Sequence, residues 1–116
     1  AWLSKRLGTP LRAPHLVAEG FRLVGGRLIP SEQGPGALFM YEDGTGARLT
    51  LYVVTVEHDG GETAFRFAHA GALSTFYWVD RHTAYALSGE LPRASLLPVA
   101  SAVYRQLGED RPPAQK

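Results

Sequence analysis

The chain has 116 residues, of which 45% are hydrophobic and none is cysteine. Twelve Lys and Arg against eleven Asp and Glu leave a net charge of +1, without the basic excess that nucleic-acid binding requires. The longest strongly apolar stretch, residues 49–56, is much shorter than the roughly 20 residues of a membrane helix. These figures predict one globular domain with its own core. They exclude a disulfide framework and a thiolate metal site, and we expect neither a nucleic-acid partner nor direct membrane insertion.

Residues 1–19 are predicted to form the end of a helix followed by a proline-containing connector. Leu3 and Leu7 stand four apart and Gly8 follows them, which is typical of the last turns of a helix. Two prolines then interrupt the periodicity, so the connector runs to residue 19, with one turn around residues 16–19. The chain does not begin with Met and starts inside this helix, which is expected of a piece cut from a longer polypeptide.

After residue 20 the hydrophobic pattern has a period of two, which predicts strands. Gly25 and Gly26 interrupt the first run, and they are compatible with a tight hairpin or with one bulged strand. The arms are too short for a stable hairpin, which favours the bulged strand. An Asp-Gly step then joins the alternating runs 37–43 and 47–57, the strongest hairpin pattern in the chain. The second of these runs is apolar on both faces, so we expect it to be central in its sheet.

Three further strands follow at the spacing of an antiparallel meander. They are predicted over residues 63–68, 73–80 and 83–90, and the segment HDGGE provides the turn before the first of them. The chain therefore has about six strands in a meander-like sheet.

Beyond Leu91 the hydrophobic period becomes helical. Ser95 is the predicted cap, Pro98 falls in the first turn, and Gly108 ends the helix. One face of this helix carries an apolar stripe of Leu96, Val99, Ala100, Val103 and Leu107. We expect the stripe to pack on one sheet face, giving a single α+β domain over residues 20–108. The polar, proline-rich residues 109–116 are predicted to form a disordered tail.

No arrangement of polar residues predicts catalysis or a metal site. The four histidines lack the spacing of a metal motif, although separate strands could bring the last three together: His15, His58, His69 and His82. Ser74 and Ser88 lack the glycine-flanked turn of a nucleophile and are interpreted as strand serines. Paired acids such as Glu42 and Asp43 flank turns, where carboxylates usually stabilise the turn.

The densest apolar segment is FYWVD, residues 76–80. On a strand, Phe76 and Trp78 point to one side while Tyr77 and Val79 point to the other. Large aromatic surface on both sides is compatible with core packing alone, or with a binding surface on the face that the helix leaves uncovered. The candidate binding residues are Trp78 or Tyr77, whichever lies on that face, with neighbours such as Tyr52 and Tyr85.

Several stretches resemble the extracytoplasmic domain of bacterial transmembrane anti-sigma factors. They are GFRLVGGRLIP, FMYEDGTGARLTLYV, ETAFRFA and LSTFYWVDRHTAYALSGELPRASLLPVASAVYRQL. The resemblance covers residues 2–107 and is most specific in GFRLVGGRL, FYWVD and ALSGEL. Pro98 and His15 depart from the expected pattern.

The resemblance implies a non-enzymatic sensory or regulatory domain on the periplasmic side of the inner membrane. A parent protein of this kind binds an extracytoplasmic-function sigma factor through a cytoplasmic region absent from this chain. A single membrane helix joins the two parts. The resemblance implies no cofactor and no catalytic residue, and it leaves a periplasmic signalling protein, a protease or a second copy as the partner of the outer domain.

Two other functions compete with this interpretation. One is a small-ligand carrier with a pocket between sheet and helix, lined by residues such as Phe65, Phe67 and Val103. The other is an enzyme, which the sequence favours least.

Overall fold

A computed structural model describes residues 13–30, 36–56 and 64–109. The predicted α+β class is confirmed, because one helix packs on a six-stranded antiparallel sheet. The elements are a 3₁₀ turn (Val17–Glu19), β1 (Arg22–Ile29), β2 (Gly36–Glu42), β3 (Arg48–Thr55), β4 (Arg66–Ala70), β5 (Leu73–Asp80), β6 (Thr83–Gly89) and α1 (Arg93–Glu109). The predicted N-terminal helix, the HDGGE turn and the predicted tail beyond residue 109 lie outside the described residues.

The sheet consists of two three-stranded meanders that meet at its centre. The strand order is β1-β2-β3-β6-β5-β4, so β4 lies at the far edge and does not pair with β3. Strands β3 and β6 pair along seven residues, from Leu49 opposite Gly89 to Thr55 opposite Thr83. The central position predicted for β3 is confirmed, and its neighbour on that side is β6, the last strand in the chain.

Strand β1 is a single bulged strand, as its glycines predict. Leu23 pairs with Tyr41, whereas the next registered pair is Gly25 with Met40, which leaves Val24 as the extra residue. A Cβ atom at Gly25 would lie 3.0 Å from the Met40 side chain. Glycine therefore lets the strand continue past the bulge without displacing Met40.

The core lies between the sheet and α1. Alternate residues of β3, β5 and β6 are buried on the side that faces the helix. In β2 the first four residues are buried on both sides of the sheet, and they include Leu38, which is 7% exposed. The predicted apolar stripe of α1 is confirmed, since all five of its residues are at most 7% exposed. Ala102 of the helix joins them in the same core. Within the described residues, no helix has both the length and the apolar character needed to cross a membrane.

The helix begins earlier than its sequence predicts. The carbonyl of Pro92 accepts hydrogen bonds from the amides of Ser95 (2.9 Å) and Leu96 (3.0 Å), so the first turn already includes Ser95. Ser95 is therefore the third helical residue and not the cap. Pro98 is consequently the sixth residue, in the second turn, where proline cannot donate to the carbonyl of Ala94.

Residues 13–21 belong to the same core, although the first seven of them were predicted to be connector. Leu16 is 1% exposed and Phe21 is 6% exposed, and both contact the main cluster. The buried Tyr41 hydroxyl donates to the Pro14 carbonyl at 2.8 Å, and burial raises the pKa of this phenol well above its ordinary value. This segment therefore completes the layer that covers the sheet.

A pair of hydrogen bonds joins this N-terminal segment to α1. The His15 amide donates to Oε1 of Gln106 at 2.7 Å. Nε2 of Gln106 donates back to the His15 carbonyl at 2.6 Å. One side chain thus satisfies both backbone groups of His15 and fixes the position at which the chain enters the domain.

The β2–β3 turn is organised by one carboxylate. Oδ1 of Asp43 accepts from the Thr45 hydroxyl (2.7 Å), the Thr45 amide (2.9 Å) and the Ala47 amide (2.9 Å). Gly46 has φ of 88°, a conformation that favours glycine. The Thr45 hydroxyl is the main cause that holds the pKa of Asp43 below its ordinary value of 3.8, and the backbone amides act in the same direction.

Acid is therefore expected to weaken this turn. A carboxylate whose pKa is lowered by folding stabilises the protein above its unfolded pKa of about 3.9, and this stabilisation is lost as the pH falls through the folded value. Asp43→Asn should be less stable than the wild type at pH 6, and the gap should narrow below about pH 4. Urea midpoints of the two proteins at pH 6, 4 and 3 measure this difference in stability. A gap of constant size would contradict the role of the charge.

Candidate functional site

The candidate site lies on the open face, which is the side of the sheet opposite α1. Directly paired residues in an antiparallel sheet point to the same side, so the strand registers place one residue from each strand in a line across this face. We call this line the central row. In spatial order it consists of Arg27, Leu38, Tyr52, Ala86, Tyr77 and Arg66.

The central row contains two exposed tyrosines. Tyr52 is 44% exposed and Tyr77 is 41% exposed, and no described element lies over them. Both pair with Ala86 of β6, so about 10 Å separates their backbones at the usual strand spacing. Strand β6 presents only small side chains here, since Ala84 and Ser88 flank Ala86 on the same face. The result is a shallow trough along β6 with one tyrosine on each side.

Hydroxyl groups lie beside the trough. The next line of paired residues across the sheet includes Thr50, Ser88 and Thr75. The Thr75 and Ser88 hydroxyl oxygens are 2.7 Å apart and share a hydrogen bond. Together with the tyrosine hydroxyls, they provide donors and acceptors next to apolar surface, which suits binding to a polypeptide backbone.

Among the described residues, the charge on the open face is predominantly positive. Glu42 is the acid at one end of this face, and it is already shared between Arg22 (3.4 Å) and Arg48 (3.2 Å). Arg27 and Arg66 end the central row on the two edge strands. Within the part of the chain that the structure describes, neither of these two arginines forms an ion pair.

Two of the four predicted binding residues lie on the opposite side of the sheet. Trp78 is 2% exposed and Tyr85 is 9% exposed, and their rings stack at 5.2 Å beneath α1. Burial raises the pKa of Tyr85, while a hydrogen bond with Thr83 acts in the opposite direction. The reason is strand alternation, because Trp78 follows Tyr77 directly and pairs with Tyr85. Only Tyr52 and Tyr77 are brought together on the open face.

The neighbours of each aromatic residue on its own strand indicate which face of the sheet the ring lies on. Tyr77 shares its face with Thr75, and Tyr52 shares its face with Thr50, whereas Trp78 shares its face with Phe76. A face that alternates tyrosine with threonine is typical of the solvated side of an antiparallel sheet. The two arginines and Ala86 were missed, because their place depends on pairing between strands distant in sequence.

The three residues predicted to line a pocket between sheet and helix all pack against other side chains of the core. Val103 is fully buried. The Phe65 ring lies 4.8 Å from Trp78, and the Phe67 ring lies 5.0 Å from Phe76. A groove of about 420 Å³ remains beside the start of β4. Its lining is Ala64, Phe65, Ser101, Tyr104 and Arg105, so only one of the three predicted lining residues faces it.

Two of the strand-region histidines, His69 and His82, lie far apart in the described part of the chain. His69 pairs with Ser74 at one end of β5, and His82 lies in the turn beyond the other end, at least about 20 Å away at the rise of a strand. His58 lies outside the described residues. Among the residues of known placement, no three His, Cys, Asp or Glu side chains form a group that could hold a metal ion.

Comparison with models of known protein families finds no match for this chain, and comparison with curated proteins finds none either. Function must therefore be inferred from the chemistry of the open face together with the sequence resemblance.

Proposed function

We propose that this chain is the non-catalytic periplasmic regulatory domain of a membrane-anchored anti-sigma factor, which controls an extracytoplasmic-function sigma factor. The resemblance over residues 2–107 supports the class of protein. The open face supports a binding role, and it is the observation that carries the proposal: Tyr52 and Tyr77 are each more than 40% exposed on β3 and β5, the two strands that flank β6. The domain works by binding and needs no cofactor.

A regulatory domain must have two states that bind its partner differently. Strand β2 provides a physical link between the open face and the start of the chain. Leu38 lies in the central row, and three residues later Tyr41 holds the Pro14 carbonyl on the other side of the sheet. A partner that moves β2 therefore acts on the N-terminal segment, which in the parent protein leads towards the membrane helix.

The class of protein is tested by deleting the complete gene. If the parent protein is an anti-sigma factor, its loss releases one sigma factor, and transcription from that sigma factor's promoters should rise. The full-length gene should restore repression. Transcript levels in the deletion strain and the complemented strain measure this effect. Unchanged transcription from every sigma-dependent promoter would overturn the proposal.

The binding role is tested by a double substitution in the full-length regulator. Tyr52→Ala with Tyr77→Ala should change sigma-dependent reporter expression at least about threefold, because the substitutions remove exposed aromatic area that a partner would bury. Leu97→Ala is the matched control, since Leu97 is 40% exposed on α1. A folded double variant that signals like the wild type would contradict the role of the open face.

A further inference from the structure

We infer that the open face binds an acidic, extended segment of a partner protein, which crosses the strands along the central row with one carboxylate near each terminal arginine. The inference deepens the proposed function and rests on it for its biological meaning. It specifies the chemistry of the partner that the regulatory domain recognises.

Charge complementarity identifies the occupant. Arg27 and Arg66 stand at opposite ends of the central row, and no acid lies between them. Guanidinium groups bind carboxylates in a two-point geometry that is well suited to an interface. A second copy of this chain would bring four such arginines into one interface, and like charges facing each other oppose association. The two arginines therefore favour an acidic partner and disfavour a dimer.

The dimensions of the row select an extended segment. Arg27 and Arg66 are five strand spacings apart, about 24 Å. Seven residues of extended chain cover about the same distance. The trough that this path crosses is narrow, because the backbones of Tyr52 and Tyr77 are only about 10 Å apart before the rings are added. One partner side chain fits over Ala86, between the two rings.

The polar groups of the open face suit the backbone of such a segment. An extended chain that crosses the strands cannot join the sheet's own hydrogen-bond ladder, so its amides and carbonyls need side-chain partners. The hydroxyls of Tyr52, Tyr77, Thr50 and Thr75 lie along or beside its path. The floor provides no competing charge, since β6 contributes only Ala84, Ala86 and Ser88.

Selection from a displayed library of random twelve-residue peptides on the immobilised 116-residue chain tests the inference. Enriched peptides should carry Asp or Glu at two positions six to eight residues apart, with an apolar or aromatic residue between them. Synthetic copies should lose at least about tenfold in affinity for Arg27→Glu, Arg66→Glu and Tyr52→Ala. Arg105→Glu, which makes the same charge change on α1, should bind like the wild type.

Three results with peptides would overturn the inference: no enriched peptide, enrichment of basic or neutral peptides, or equal loss of affinity in Arg105→Glu. Vesicles of phosphatidylglycerol are the competing anionic surface. Capture by these vesicles that depends on Arg27 and Arg66 but not on Tyr52 would assign the face to a membrane surface, and would also overturn it. Because the selection uses the isolated chain, its failure leaves the gene-deletion result standing, and failure of the deletion test leaves peptide binding standing.

Discussion

Trp78→Ala is expected to lower the free energy of unfolding by about 3–5 kcal/mol, whereas Tyr77→Ala should change it by less than about 1 kcal/mol. The two residues are neighbours in sequence on opposite sides of β5. Trp78 is 2% exposed and contacts the Phe65 and Tyr85 rings at 4.8 and 5.2 Å. Truncating Trp78 leaves a large cavity under α1. Truncating Tyr77 removes a side chain that is already 41% exposed to solvent.

Urea denaturation of both variants measures this difference. A loss of 3–5 kcal/mol is a large part of the 5–15 kcal/mol that stabilises a typical domain. If Trp78→Ala therefore does not fold, Trp78→Phe is the milder variant to measure. It should still cost more than Tyr77→Ala. Binding should follow the opposite order, because Tyr77 belongs to the central row. Equal destabilisation by Trp78→Phe and Tyr77→Ala would contradict the assignment of the two faces.

Local pattern was sufficient to predict the strands of the sheet and the apolar face of the helix. The alternation of Leu49, Leu51 and Val53 places these residues on one face of β3, and the structure buries all three. Because the run is apolar on both faces, its pattern did not predict which face the helix covers. The glycines of β1 predicted a bulge, since a bulge depends on local backbone conformation. The helical stripe was correct for the same reason.

Pairing between distant segments was not accessible from local pattern. The meander prediction places β4 beside β3, but β3 pairs with β6, in which Leu87, the partner of Leu51, lies 36 residues later in the chain. The central row depends on that pairing. Tyr52 and Tyr77 were therefore found as exposed aromatics, whereas Arg27 and Arg66 could not be recognised as the ends of one surface.

The predicted start of α1 was also wrong, because tertiary packing decided it. Ser95 is a good cap by residue type, but the Pro92 carbonyl already accepts the first helical hydrogen bonds. Leu96 is fully buried in the core, and tertiary packing outweighs the local preference of Ser95. Pro98 is accommodated near the N-terminal end of the helix at the loss of one backbone hydrogen bond.

The N-terminal segment was misjudged because its two anchors are far away in sequence. Prolines and weak periodicity around residues 13–19 are typical of a connector. The structure buries Leu16 against the sheet, and Gln106 of α1 holds both backbone groups of His15. These contacts span up to 91 residues, so no local pattern could predict them.

Leu16→Ala is accordingly expected to lower the free energy of unfolding by about 2–5 kcal/mol, the usual cost of truncating a fully buried leucine. Leu16 is 1% exposed within the main core cluster, and the loss should extend to the whole domain because the segment completes the layer over the sheet. The adjacent Val17→Ala is the matched control, since Val17 is 73% exposed and should change stability by less than about 0.5 kcal/mol. Urea midpoints of the two variants provide the comparison. If Leu16→Ala cost no more than Val17→Ala, residues 13–19 would be a separable connector, as their composition suggests, and binding at the open face would have no path through β2 to the start of the chain.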